Sequence, residues 1–145
     1  MTDLKLLALD AEDLTVVSAH MQDAVFKPKD VEYAAKSGVF SIAANRFVWE
    51  KAKRKDKSFE RRRAALTIKR VGAVRSLGFD RRSGEEVLAL LAVEFHKKGE
   101  GPEGELRLVC AGGAAIALDV ECIEVQLADL GGAWETTSRP RHPVK

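Results

Sequence analysis

The sequence predicts an α+β domain. We expect a strongly curved antiparallel sheet or barrel of about six to seven strands, with one N-terminal amphipathic helix covering its open face or end. Three observations predict it. The span Val87-Leu88-Ala89-Leu90-Leu91-Ala92-Val93-Glu94-Phe95 is the most continuously apolar in the chain, as expected of a central strand covered on both faces. A helical period occurs once, early, and from Asp30 onward gives way to alternating apolar residues. Short turns rich in glycine separate those segments, which makes neighbouring strands antiparallel. A pleckstrin-homology-like barrel is the specific alternative, although there the helix usually comes last.

Leu4 to Leu9 reads as a short strand or an extended lead-in. Asp10 then caps a helix whose first turn carries Glu12 and Asp13, where the dipole favours acids. Leu14, Val17, Ser18, Met21, Ala24 and Val25 form its buried stripe, and Pro28 stops it, so the helix is expected over Asp10 to Phe26. Asp23 opposes the dipole in the last turn, and Lys27 at i+4 offsets it. Val31 to Ala35 and Val39 to Glu50 flank a hairpin turn, Lys36-Ser37-Gly38. Along the second arm Phe40, Ile42 and Ala44 share a face that Phe47 and Trp49 leave. A β-bulge at Asn45-Arg46 restores all five to one side; the alternative is a strand buried on each side in turn.

Lys51 to Arg63 reads as a long basic loop, and 64–77 as a strand whose alternation breaks at Lys69-Arg70. Asp80 to Gly84 and Gly99 to Gly104 are turns on either side of the central strand. Glu105 to Ala111 and Ala114 to Leu130 complete the sheet, joined at Gly112-Gly113. The latter segment changes phase at Cys122-Ile123, and a helix from Asp119 is the competing reading. Gly131-Gly132 ends it. One domain over 1–132 and an extended tail over 133–145, with Trp134 pinning its start, follow.

At 145 residues a single core buries roughly 70% of the unfolded surface without disulfide or metal. The composition, 46% hydrophobic and 32% charged, is that of a globular protein. No apolar run approaches the roughly 20 residues of a membrane span, and Met1 to Leu9 lack signal-peptide features, so the cytoplasm is the expected compartment. Cys110 and Cys122 are expected to be buried thiols: seven strand residues separate Ala115, taken as the partner of Cys110, from Cys122, roughly 23 Å.

Charge is segregated along the chain. From Arg46 to Arg82, 14 Lys/Arg stand against 4 Asp/Glu, a local +10; from Ser83 to Leu130, 3 stand against 10, a local −7. Such fields point to a basic face for an anionic partner, nucleic acid or an acidic protein, or to a homodimer through complementary patches. If 39–50 and 64–77 pair about Lys57, then Asn45-Arg46 stands opposite Ile68-Lys69. Arg46, Lys69 and Arg70 then converge on one anion-sized spot, with Arg61, Arg62 and Arg63 adding field. Two other readings stay open: the basic run is a solvated connection, and Arg46 forms a structural ion pair with an acid of 83–130.

Catalytic chemistry finds no motif. His20, His96 and His142 lie on a helix, a strand end and the tail, Glu121 and Glu124 read as a wet face, and no glycine-rich phosphate loop occurs. No metal and no cofactor are expected. The preferred function is a non-catalytic binding or adaptor module; the alternative is a small-molecule enzyme with its site at the barrel mouth, using Arg46 and a carboxylate such as Glu50.

Several phrases together resemble a known family: Gln22-Asp23-Ala24, Asn45-Arg46-Phe47-Val48-Trp49-Glu50, Arg61-Arg62-Arg63, Val120-Glu121-Cys122-Ile123-Glu124, Asp129-Leu130-Gly131 and Arg139-Pro140-Arg141-His142. They are similar to those of short, mainly alphaproteobacterial proteins catalogued as domain of unknown function 2948. The resemblance covers nearly the whole chain, and Asn45 to Glu50 is its most specific piece. It implies a bacterial cytoplasmic protein of one domain and transfers no catalytic residue.

Overall fold

The computed structural model of the chain describes residues 4–49, 59–80, 82 and 84–136, with backbone alone at 59 and 131–136. These hold one α-helix, α1 (Ala11–Met21), and ten strands in one antiparallel sheet. The strands are β1 (Lys5–Ala8), β2 (Val25–Phe26), β3 (Val31–Ala34), β4 (Val39–Phe47), β5 (Phe59–Ile68), β6 (Val71–Leu77), β7 (Leu88–Lys97), β8 (Gly104–Cys110), β9 (Ala115–Val120) and β10 (Val125–Thr136). Their order is β1-β10-β5-β4-β2-β7-β8-β9-β6, with β3 added to β4, so the sheet is open and β1 and β6 end it. One buried cluster takes in residues of β4 to β10 together with Leu14, Val17 and Met21 of α1.

The fold class is the expected one, but ten strands replace six or seven, and the phase breaks are the reason. Lys69-Arg70 is a corner rather than an irregularity within one strand: Arg70 takes a left-handed φ of 62°, ending β5 and starting β6 at the far edge of the sheet. The second phase change, near Cys122, is likewise a corner between β9 and β10, and the helical reading from Asp119 is not what the chain adopts. The two corners bond each other, Lys69 N–H to Glu124 O (3.0 Å) and Glu121 N–H to Arg70 O (3.0 Å).

Helix α1 starts as expected, with Asp10 Oδ1 accepting from Asp13 N–H at 2.8 Å, but it ends at Met21. Asp23 is the cause. Its φ of 66° turns the chain, and its N–H then donates to Leu90 O (2.7 Å) so that β2 joins β7; Asp is among the residues that tolerate this region. Pro28 therefore does not stop the helix; it opens a 3-10 turn, Pro28–Asp30. Ser18 Oγ accepts the Val93 N–H at 2.9 Å and pins α1 to β7. In β7, Leu88, Ala89 and Leu90 are buried in succession, so the double cover expected of 87–95 holds at the start of the strand; Val87 precedes it and is exposed, and Leu91, Ala92 and Phe95 are half-buried.

The β3–β4 hairpin forms as read, closed by Gly38 at φ 68°, where a Cβ would lie 3.1 Å from Val71 O. Strand β4 keeps register with β5 from Phe40 to Phe47 without a shift, so the bulge at Asn45-Arg46 is absent. Its inward row continues Phe40, Ile42, Ala44, Arg46, while Phe47 is buried on the other face beneath Trp49, with ring centroids 4.5 Å apart. This is the strand buried on both sides in turn. Strand β10 passes through Gly131-Gly132 instead of ending there; the shift in its register with β5 falls between Asp129 and Ala133, where glycine accommodates a bulge.

Candidate functional site

The candidate cations separate into three places. The first is internal. Cross-strand partners Arg46 and Arg62 point into the core, and Arg46 binds Asp129 of β10 through two hydrogen bonds, Nε to Oδ1 (2.8 Å) and Nη2 to Oδ2 (3.0 Å). Both side chains are 1% exposed. Asp129 Oδ2 also accepts the Leu4 N–H (2.9 Å), and Arg62 pairs with Glu60 at 2.7 Å. Burial raises the Asp129 pKa; the hydrogen bonds from Arg46 and Leu4 and the charges of Arg46 and Arg62 outweigh it and hold the carboxyl below its usual range.

The second place is the β5–β6 corner, where Lys69 Nζ (3.9 Å) and Arg70 Nε (3.5 Å) face Glu124. Arg46 does not meet them. The expected register about Lys57 is off by six residues: Arg46 stands opposite Arg62, and Phe40 opposite Ile68. Lys69 is seven residues along from Arg62, roughly 23 Å at strand rise. Arg61 to Arg63, expected at the end of a loop, belong to β5, which alternates Arg62, Ala64, Leu66 and Ile68 inward. Glu50 lies outside the described residues, as does the basic run 51–58.

The third place is a cleft of about 350 Å³ on the outer side of β2, β4 and β5. Asn45 and Arg63, opposite each other in register, form one wall, with Arg63 Nη1 donating to Asn45 Oδ1 at 3.1 Å and Nη2 3.5 Å from Asp30 Oδ1. Lys27 and Lys29 line the cleft as well, and Val25 and Val87 supply its apolar surface. The lysines flank buried Pro28 in a turn closed by Asp30 N–H to Lys27 O (2.8 Å) and Lys27 N–H to Asp30 Oδ2 (3.1 Å). Glu85, reaching in from the turn before β7, accepts from Lys27 Nζ (2.9 Å) and Lys29 Nζ (3.0 Å), one oxygen each. The two ammonium groups pull its carboxyl down to about 2.

Asn45 and Arg63 were singled out in the sequence for a different cluster, around Arg46 and Lys69-Arg70, and Lys27, Lys29, Asp30 and Glu85 were not singled out for any. Lys27 was assigned to Asp23 on a longer helix. No spacing links Lys27 to Glu85 across 58 positions; the one local signal is a proline between two lysines, which fixes the backbone that carries them.

His20 is half-buried on α1, His96 faces Glu94 at 3.1 Å on the exposed end of β7, and His142 lies outside the described residues. Glu121 is exposed at the corner and Glu124 meets the cations named above. Both cysteines are free thiols, Cys110 buried and Cys122 half-buried, and burial pushes Cys110 up to about 12. Among the described residues no group of three or more His, Cys, Asp or Glu is placed to hold a metal ion, and no helix is long and apolar enough to cross a membrane.

A family model described as a protein of unknown function, DUF2948, matches residues 4–142. The chain belongs to the DUF2948 family. Compared with curated proteins and with solved structures, it matches none. The DUF2948 match takes in all three clusters, so the cleft, the internal pair and the corner are parts of one family domain.

Proposed function

We propose that this DUF2948 protein is a non-catalytic binding module that takes an acidic segment of a partner protein into the Lys27–Lys29–Arg63 cleft. The observation that supports the reading is the Glu85 carboxylate seated on both lysines at 2.9 and 3.0 Å, an internal counterpart of the acidic ligand proposed. Arg63, with its side chain 39% exposed, and the amide of Asn45 lie across the cleft with further donors. Val25 and Val87 add apolar contact of the kind peptide sites use to fix orientation. Two features favour an acidic peptide over nucleic acid. Asp30 is among the lining residues, where it would repel a continuous row of phosphates, and of the described cations Arg46 and Arg62 are buried on acids of their own chain and cannot extend such a row.

The test is the affinity of a labelled oligoglutamate peptide, followed by fluorescence anisotropy. We expect binding that weakens with salt and a loss of roughly tenfold or more in the Lys27→Met/Lys29→Met double variant, with its melting temperature unchanged. A wild-type protein that ignores the peptide and binds a single-stranded oligonucleotide instead would overturn the reading.

A further inference from the structure

Resting on that reading, we infer that Glu85 is a built-in competitor: the chain's own carboxylate holds the lysine pair, and an acidic partner binds by displacing it. The two sides of this contact are unequal. Lys27 and Lys29 belong to a turn held by a buried proline, by the Asp30 N–H on Lys27 O and by the Lys27 N–H on the Asp30 carboxylate, so the backbone that carries the lysines is fixed. Glu85 belongs to a turn in which Glu85, Glu86 and Val87 are all exposed, between Gly84 at a left-handed φ of 27° and the start of β7. The Glu85 side chain is 72% exposed, so its ion pairs are wet, screened by salt and weak. A single tethered carboxylate is also a poor match for the cleft as a whole. It bonds the lysines, whereas Arg63 is held by Asn45 and Asp30.

A tethered competitor acts at an effective concentration on the order of millimolar, which lowers the apparent affinity for any separate carboxylate without abolishing it. A partner that carries several acids gains by engaging the lysines and Arg63 together. A lone carboxylate cannot make that gain. The Glu85 turn thus filters against free small carboxylates and isolated acidic residues in favour of an acidic stretch.

The test compares wild type, Glu85→Gln and, as a control on the same turn, Glu86→Gln. Each is titrated with labelled oligoglutamate and with acetate as the lone carboxylate. Removing the competitor should tighten oligoglutamate binding roughly threefold or more in Glu85→Gln and leave Glu86→Gln at the wild-type value. Adding Lys27→Met/Lys29→Met to Glu85→Gln should erase the gain. Acetate should compete with the peptide measurably in Glu85→Gln and not in wild type. If wild type binds the peptide and Glu85→Gln binds it no more tightly, the competitor is refuted while the binding module stands. If neither protein binds the peptide, both fall.

Discussion

Arg46 was the residue on which two readings diverged, and its geometry now separates stability from binding. At 1% exposure and doubly bonded to Asp129, its guanidinium serves the core. Removing one partner of a buried ion pair leaves the other charge stranded, so Arg46→Met should cost about 3–5 kcal/mol in urea unfolding, and Arg46→Met/Asp129→Leu should regain most of it. Peptide affinity of the folded fraction should not change. Asp129 adds a pH dependence. Its folded pKa is depressed, so its contribution is fully present above the ordinary carboxylate range, near pH 4, and is lost as pH falls through the lower folded value. Asp129→Asn should flatten that acid limb of the melting curve. The cysteines divide as well: a thiol reagent should label half-buried Cys122 in the native protein and reach Cys110, buried and pushed up to about 12, only on unfolding. Sequence showed that Arg46 needed an acid from 83–130 or an anion. It did not show which, because the inward row of β4 ends in arginine and hydrophobic alternation reads that charge as a break.

At the scale of elements, the informative misreadings are those where one conformational feature ends a strand. The apolar pattern gave Leu66, Ile68 and Val71 of 64–77, and Ile116, Leu118, Val120, Ile123, Val125 and Leu127 of 114–130, their inward face, but not Leu77, which is 42% exposed; each segment is two strands, because Arg70 at φ 62° and the turn before Val125 send the chain to another part of the sheet. A phase change in alternation has two physical causes, a bulge or a corner, and pattern alone does not distinguish them. The helix was legible from its cap and stripe but not at its end, since Asp23 terminates it through tertiary bonding to Leu90 rather than through a residue that breaks helices. The β3–β4 hairpin was legible at its turn, which a glycine marks, but not in its second arm, where the expected bulge is absent. Gly38→Ala would place a Cβ 3.1 Å from Val71 O at φ 68°, so it should destabilise the protein by at least about 1–2 kcal/mol in chemical unfolding.

Across the whole molecule, the segregation of charge along the sequence is largely met within the fold. Arg46 pairs with Asp129, Arg70 with Glu124, and Arg75 with both Asp119 and Glu105, each joining the basic half of the chain to the acidic half. A local +10 beside a local −7 therefore describes how strands β5 and β6 meet β8, β9 and β10 as much as it describes a surface. The proposal places an outside partner instead in the cleft between the Pro28 turn and the β4–β5 pair, where Lys27, Lys29 and Arg63 meet acids through partly exposed side chains, and the account stands or falls on that location. The most direct test is a map of backbone amide shifts on titrating the protein with oligoglutamate. The account predicts perturbations centred on Lys27 to Asp30, Asn45, Arg63 and Glu85 to Val87. Perturbations centred on Lys69, Arg70 and Glu121 to Glu124, with the cleft silent, would contradict it.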